Sequence, residues 1–154
     1  MLGVGDKAPD FALYDTDLKL RKTKDFLAAG RKTIFAFYPG AFTGVCTKEM
    51  CAFRDMHEGL KKLRADVVGI SVDPPFANKA FAEQHNLSFP LLSDFKREAI
   101  REYGVVWKNL GGMEGYDGAN RAIFVVDGSG KIVYEWVGEN PGKYPDFDAI
   151  DKAL

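Results

Sequence analysis

Short continuous apolar runs alternate along the chain with longer stretches in which apolar residues recur every three or four positions. The runs predict buried strands, and the periodic stretches predict helices that pack against them. In chain order the pattern predicts an extended hairpin at 11–20, a helix at 23–29, a strand at 33–38, helices at 44–64, 74–85 and 95–103, strands at 66–72 and 89–92, a strand hairpin at 121–126 and 131–137, and a helix from about 147. This alternation predicts an α/β protein with a central mixed sheet and helices on both faces.

Two features describe the organisation of the chain as a whole. With 154 residues it is expected to form a single domain over residues 1–154, long enough to bury a sizeable core. The segment from Lys108 to Asn120 is rich in glycine and has no periodicity, which is typical of a long loop. We expect this loop either to border the functional site or to contact a partner.

Composition narrows the function classes. The formal net charge is −1 and the sequence pI is near 6.1, so no strong positive field is available to attract nucleic acid or an anionic membrane. The first twenty residues are rich in aspartate and the chain has no long apolar run, so neither a signal peptide nor a membrane span is expected. We therefore expect a cytoplasmic protein without nucleic acid or membrane partners.

The most informative site in the sequence is Cys46. The predicted strand at 33–38 stops at Pro39-Gly40, and a helical pattern begins near Gly44, which puts Cys46 in the first turn of a helix. Unpaired backbone N–H groups and the helix dipole favour an anion at that position, so they favour the thiolate of a cysteine. Cys46 is therefore a candidate nucleophile.

Other interpretations of the two cysteines remain open on the residues alone. A lone cysteine is often a small buried apolar residue. A structural zinc site needs about four ligands, and only His57 and His85 are available to join Cys46 and Cys51, at spacings that do not suit a finger. The redox pair Cys-x-x-Cys is two residues shorter than the spacing found here. We therefore expect no metal.

The helix at 44–64 has a core-facing stripe formed by Phe53, Met56, Leu60 and Leu63. At 3.6 residues per turn, Cys46 lies about 20° from this stripe, whereas Cys51 is rotated by roughly 140° from Cys46. We therefore expect Cys51 nearer to solvent and Cys46 directed inward. The aromatic residues expected above Cys46 are Phe35, Phe37 and Phe42.

The sequence around Cys46 resembles a known family. Pro39, Thr43 and Cys46 match the Pro-x-x-x-Thr-x-x-Cys signature of peroxiredoxins, and CTKEMCAFRD at 46–55 is similar to their Q-type branch, the bacterioferritin-comigratory proteins. The likeness continues in GDKAPDF at 5–11, ISVD at 70–73, FPLLSD at 89–94 and RAIFVVD at 121–127. Within the last segment, Ile123 stands where the family usually has Thr or Ser. The resemblance implies a thioredoxin-like fold, which requires parallel crossovers followed by an antiparallel hairpin, the arrangement that the pattern predicts here.

The resemblance also implies roles for individual residues. Cys46 would be the peroxidatic cysteine and Cys51 the resolving cysteine, while Thr43 would hydrogen-bond the peroxide or the sulfur and Arg121 would be the remote hydrogen-bond donor. Pro39 would shield the thiolate, and Glu49 would orient the arginine. Without the family pattern, Thr43 would be an ordinary helix cap, Arg121 a surface charge and Pro39 a strand breaker.

The function expected is that of a thiol-dependent peroxidase without a cofactor. Hydrogen peroxide and organic hydroperoxides are the expected substrates, with a thioredoxin-like dithiol as reductant and a monomer or homodimer as the assembly. The alternatives are a thiol–disulfide oxidoreductase that does not reduce peroxides and a thioredoxin-like binding or chaperone module. A disulfide between residues five apart requires the helix to open, because their Cα atoms lie about 8 to 9 Å apart in a helix and a disulfide spans at most about 7 Å.

Overall fold

The computed structural model describes residues 2–154 apart from the side chains of residues 57 and 58, so the expectation for His57 lies outside the described residues. The strands are β1 Ala12–Tyr14, β2 Leu20–Lys22, β3 Lys32–Phe37, β4 Ala65–Ser71, β5 Leu91–Ser93, β6 Val106–Trp107, β7 Gly118–Ala119, β8 Ala122–Val126 and β9 Ile132–Val137. The α-helices are α1 Gly44–Lys62, α2 Pro75–His85, α3 Glu98–Glu102 and α4 Phe147–Lys152. Short 3₁₀ helices cover Thr23–Phe26 and Leu110–Gly112.

The central sheet has seven strands in the order β2-β1-β5-β4-β3-β8-β9, and β6 pairs separately with β7. Strands β3, β4 and β5 are parallel, whereas β8 is antiparallel to both β3 and β9. The mixed sheet confirms the predicted fold class. Because Ala122 at the start of β8 pairs with Phe37 at the end of β3, the residues just before β8 lie beside the turn that follows β3.

The two faces of the sheet carry separate apolar clusters. One cluster packs the sheet against α3, and the other packs it against α1, α2 and α4, so helices cover both faces as predicted. Cys46 belongs to the second cluster, together with Ile34 and Ala36. Phe35 and Phe37 belong to the first cluster, so the expectation that they lie above Cys46 is wrong. Successive side chains of a strand point to opposite faces, and β3 presents its smaller residues to α1.

Helix α1 has the expected core-facing stripe at its centre but not at its end. Phe53 and Leu60 are buried, and Met56 is half-buried against the same cluster. Leu63 is 50% exposed because the helix ends one residue before it, which corrects the predicted stripe. Phe42 is also 48% exposed and therefore does not cover Cys46 from the core side.

Two predicted helices are shorter in the structure. The helix expected at 95–103 begins later, because the buried Asp94 carboxylate accepts the backbone N–H groups of Ala99 at 3.1 Å and Ile100 at 2.8 Å. The Asp94 side chain thus accepts the free N–H groups of the first turn, as a helix-capping residue does. The helix expected at 23–29 is a 3₁₀ turn over Thr23–Phe26, after which Leu27 is extended.

Candidate active site

Cys46 lies where β3, the turn after it and the start of α1 meet. The turn begins at Pro39, which ends the apolar strand, and Thr43 is the N-cap residue of α1. The Cys46 side chain is a free thiol with no solvent exposure. The first turn of a long helix surrounds it with unpaired N–H groups, which favour a negative charge.

Arg121 is brought to Cys46 by the antiparallel pairing of β8 with β3. Arg121 is the residue before Ala122, and Ala122 pairs with Phe37 at the end of β3. The side chain is 2% exposed, and its Nη2 donates a hydrogen bond to Cys46 Sγ at 3.1 Å. The interpretation of Arg121 as a surface charge is therefore wrong. A guanidinium keeps its charge at any ordinary pH, so it holds a permanent cation against the sulfur.

Two acceptors fix the orientation of the Arg121 fork. Glu49 Oε1 accepts from Nη1 at 2.9 Å, and the Pro141 carbonyl accepts from Nε at 3.1 Å and from Nη2 at 2.9 Å. The backbone around Arg121 is also bonded to the segment between β9 and α4 that contains Pro141. The Asn120 side chain accepts the Arg121 N–H and donates to the Gly138 carbonyl. The sequence did not indicate Pro141, since a backbone carbonyl carries no side-chain signal.

Glu49 lies one helical turn after Cys46 and has no solvent exposure. Its Oε1 is paired with Arg121, whereas its Oε2 has no hydrogen-bond partner among the described residues. Burial raises the pKa of Glu49 to about 7, and the neighbouring Arg121 charge opposes this rise. The carboxyl group beside the arginine is therefore poised to change its protonation near neutral pH.

The turn between β3 and α1 carries Pro39 and Thr43 to the mouth of the site. Pro39 is buried, and Thr43 is exposed. Thr43 occupies the N-cap position, as the cap interpretation has it, but its hydroxyl donates to the Gly40 carbonyl at 2.8 Å and makes no capping hydrogen bond. Its oxygen keeps lone pairs with which it can accept a hydrogen bond from a bound ligand.

An open depression of about 400 Å³ leads to this cluster. Its lining is largely apolar and comprises Pro39, Thr43, Gly44, Val45, Trp107, Leu110, Gly111, Arg121, Pro141 and Gly142. The segment from Lys108 to Asn120 thus borders the site, as one of the two expectations for it stated. It is not wholly irregular, because β6 and β7 pair at its base and a 3₁₀ turn carries Leu110 to the depression. Trp107 and Leu110 were not predicted as site residues.

Cys51 lies on the same uninterrupted helix as Cys46 and is half-buried, so it is nearer to solvent as expected. Both thiols are free, and their Cα atoms are separated by about 8 to 9 Å of regular helix. Ile123 is fully buried in the same cluster as Cys46 and is paired with Ala36 of β3. Its side chain therefore belongs to the apolar core on the side of the sheet that carries Cys46.

Comparisons with known proteins agree with this geometry. The sequence profile described as the AhpC/TSA family matches residues 4–135. Peroxiredoxin Bcp of Escherichia coli strain K12 is 41% identical over 132 residues, which are 85% of this chain and 83% of that protein. The chloroplastic peroxiredoxin Q of Populus jackii is 40% identical over 128 residues, which are 83% of this chain and 57% of that protein.

A solved structure gives the same result for the fold. The crystal structure of peroxidoxin BcpB from Mycobacterium tuberculosis has a TM-score of 0.85 to this chain at 34% identity, and the match covers 99% of this chain and 94% of that one. The thioredoxin-like fold is confirmed. The chain belongs to the AhpC/TSA family and is a peroxiredoxin of the Bcp and Q type, a thiol peroxidase.

Proposed function

We propose that Cys46 is the nucleophile of this peroxidase and that Arg121 and Thr43 bind the peroxide against it. The observation that carries the proposal is the 3.1 Å contact between Arg121 Nη2 and Cys46 Sγ, held by Glu49 and the Pro141 carbonyl. A preoriented cation in a buried site stabilises both the thiolate and the negative charge that develops during the reaction. Glu49 and Pro141 act through Arg121, as positioning groups.

In the first step the Cys46 thiolate attacks the oxygen of the hydroperoxide that carries the hydrogen. An S–O bond forms, the O–O bond breaks, and the sulfur is oxidised by two electrons to a sulfenic acid. The second oxygen leaves as an alkoxide, or as hydroxide from hydrogen peroxide, and takes a proton from solvent. Arg121 stabilises this departing charge, while the Thr43 oxygen accepts a hydrogen bond from the bound peroxide. Pro39 shields the Cys46 sulfur from water.

In the second step the Cys51 thiol attacks the sulfenic sulfur and expels water, which forms an intramolecular disulfide. The start of α1 has to open for this step, because a disulfide spans at most about 7 Å between Cα atoms. Gly44 is the first residue of α1, and a glycine gives the chain before Cys46 the freedom to change its conformation. A dithiol of the thioredoxin type then supplies two electrons and restores both thiols.

The family implies a hydroperoxide substrate and a thioredoxin-type reductant. The apolar depression beside Arg121 supports organic hydroperoxides as substrates in addition to hydrogen peroxide. No helix within residues 2–154 is both long and apolar enough to cross a membrane. The cytoplasmic location, the single domain over residues 1–154 and the choice between monomer and homodimer stay predictions, and chloroplastic relatives show that the branch is not confined to one compartment.

Cysteine variants test the two assignments. We expect Cys46→Ser to abolish oxidation by one equivalent of hydroperoxide, because no other group of the site can form the sulfenic acid. We expect Cys51→Ser to react at the wild-type rate in the first turnover and then to accumulate sulfenic or overoxidised Cys46. Rapid quenching followed by mass spectrometry of the peptide that carries residues 44–54 measures both outcomes.

Two results would contradict the proposal. Equal first-turnover rates in Cys46→Ser and the wild type would remove Cys46 as the nucleophile. A wild-type protein that exchanges disulfides with a dithiol but does not consume peroxide would favour the oxidoreductase alternative, and one that does neither would favour a binding or chaperone module.

A further inference from the structure

The turn between β3 and α1 contains a strained residue. Phe42 has a φ of 65°, in the left-handed region that bulky residues rarely adopt. Such a conformation persists when the surrounding structure fixes the residues on either side of it. Thr43 follows directly and lies at the mouth of the site, so whatever holds the strained turn also determines where the Thr43 hydroxyl stands.

Asp73 holds this turn from the neighbouring strand. Ala41 is the residue before Phe42, and its N–H donates to Asp73 Oδ2 at 2.8 Å. Asp73 lies two residues after the end of β4, and β4 is parallel to β3, so both segments leave the sheet at the same edge. The hydrogen bond crosses from one strand end to the other at the place where the active-site turn begins.

Two buried serine hydroxyl groups fix Asp73, one at its carboxylate and one at its backbone carbonyl. Ser71 Oγ donates to the same Oδ2 at 2.8 Å and accepts the Asp73 N–H at 3.2 Å. Ser93 Oγ on β5 donates to the Asp73 carbonyl at 2.6 Å. Both serines are buried, with 0% and 1% exposure. The acceptor for Ala41 is therefore anchored to two strands of the sheet before any substrate arrives.

A second anchor lies on the other side of the strained residue. The Phe42 ring packs edge-on against Phe81 of α2, with 5.2 Å between ring centroids, although nearly half of Phe42 is exposed. The contacts of Asp73 with Ala41 and of Phe81 with Phe42 thus hold the turn from outside, in addition to the hydrogen bond within it from Thr43 to Gly40. The hydrogen bond from the Ala41 N–H to the Asp73 carboxylate is stronger than one to a neutral oxygen, because a charged acceptor makes a stronger hydrogen bond.

We propose that Asp73 is a positioning residue for peroxide reduction, which holds the strained turn so that Thr43 meets the peroxide bound at Cys46. The role rests on the proposed function of Thr43 and Cys46. Asp73 touches neither the sulfur nor the peroxide. It acts on the placement of the turn, and a misplacement of about 1 Å in such a group lowers a rate by up to about a hundredfold.

The experiment separates placement of the turn from reactivity of the thiol. Two rates are measured for Cys46 in each variant, namely first-turnover oxidation by hydrogen peroxide and alkylation by iodoacetamide followed by peptide mapping. Alkylation needs the thiolate but not the peroxide-binding turn. We expect Asp73→Ala to lower the oxidation rate at least tenfold and to leave the alkylation rate within twofold of the wild type.

Two further variants complete the design. Asp73→Asn keeps an oxygen that can accept from the Ala41 N–H, so we expect both rates within threefold of the wild type and a protected Ala41 amide in hydrogen exchange. Asp127→Ala is the matched control. Asp127 also stabilises a turn, the one between β8 and β9, where its carboxylate accepts the backbone N–H groups of Ser129 and Lys131. This turn lies at the opposite edge of the sheet, so the ratio of the two rates should equal that of the wild type.

Three results would overturn the proposal. The first is an oxidation rate of Asp73→Ala within twofold of the wild type. The second is an equal loss of the oxidation and alkylation rates in Asp73→Ala. The third is a loss of the oxidation rate in Asp73→Asn as large as that in Asp73→Ala. If Asp73→Ala does not fold, Ser71→Ala replaces it with an expected oxidation loss of about threefold and unchanged alkylation, and a loss below this overturns the proposal. A wild-type protein that does not react with peroxide contradicts the proposed function instead.

Discussion

Replacement of Arg121 by lysine removes the geometry of the site while keeping its charge. The guanidinium makes four hydrogen bonds to three groups, at 3.1 Å to Cys46 Sγ, 2.9 Å to Glu49 Oε1, and 3.1 and 2.9 Å to the Pro141 carbonyl. An ammonium group is a single compact donor on an unbranched stem and cannot reproduce this fork. It can stay with the buried Glu49 carboxylate or approach the sulfur, but it cannot span both.

The expected loss follows from the number of donors removed at the reacting centre. Loss of one preoriented donor in a buried site costs about 3 to 4 kcal/mol of transition-state stabilisation, which is a factor of about 10² to 10³ in rate. The remaining positive charge offsets part of this. We therefore expect Arg121→Lys to lower the first-turnover rate by about a hundredfold, with kinetics measured by rapid quenching and mass spectrometry of Cys46.

Arg31→Lys is the matched control. Arg31 also presents a fork to a carboxylate, with 2.9 Å from Nε to Asp66 Oδ2 and 2.9 Å from Nη2 to Asp66 Oδ1. It precedes β3, so it lies at the end of that strand remote from Cys46. The first-turnover rate of Arg31→Lys should stay within twofold of the wild-type rate. An Arg121→Lys rate within twofold of the wild type would refute the reasoning, because the fork would then contribute nothing to the transition state.

Three further predictions concern the helix, the buried acid and the depression. Hydrogen exchange should show that formation of the disulfide removes amide protection in the segment 43–54 and leaves the rest of the chain unchanged, because only this part of α1 has to open. Because burial raises the pKa of Glu49 to about 7, the folded state binds its proton more tightly than the unfolded state. Its contribution to stability is therefore full below pH 4.5 and falls as the pH rises to about 7, so the free energy of unfolding of the wild type, measured in urea, should decline by up to about 3 kcal/mol relative to Glu49→Gln over this window. Trp107→Ala should lower kcat/KM for cumene hydroperoxide about fivefold and for hydrogen peroxide less than twofold, because Trp107 lines the apolar depression, whereas Arg121 makes the hydrogen bond to the sulfur.

Each of these has a result that contradicts it. Identical exchange profiles in the reduced and disulfide forms would mean that Cys51 is not the resolving partner. Parallel pH profiles for the wild type and Glu49→Gln would mean that Glu49 ionises as freely in the folded protein as in the unfolded one. Equal losses for both peroxides in Trp107→Ala would mean that the depression does not receive the organic part of the substrate.

Local sequence was sufficient where short-range physics decides the conformation. A continuous apolar run that stops at Pro39 and a period of 3.6 residues after Gly44 placed Cys46 in the first turn of a helix, and the structure has this helix over Gly44–Lys62. Helical rotation also separated Cys51 from Cys46, since five residues correspond to roughly 140°. Both features depend only on neighbours along the chain.

The face of the sheet on which each residue of β3 lies was decided by the tertiary structure. Thr33 to Phe37 are all buried, so the strand shows no alternation of apolar and polar residues from which a face can be deduced. This is why Phe35 and Phe37 were expected beside Cys46 and lie on the opposite face. The start of α3 was likewise decided by a single buried carboxylate, Asp94.

The site itself divides in the same way. The sequence by itself determined the nucleophile candidate, its helix position and, through the motif, Thr43, Glu49 and Arg121. Only the fold decided that the Pro141 carbonyl orients the arginine and that Asp73 holds the turn, because both act across contacts between segments that are distant in the chain. Neither has a local signature, since a backbone carbonyl is present in every residue and an aspartate after a strand is common in loops.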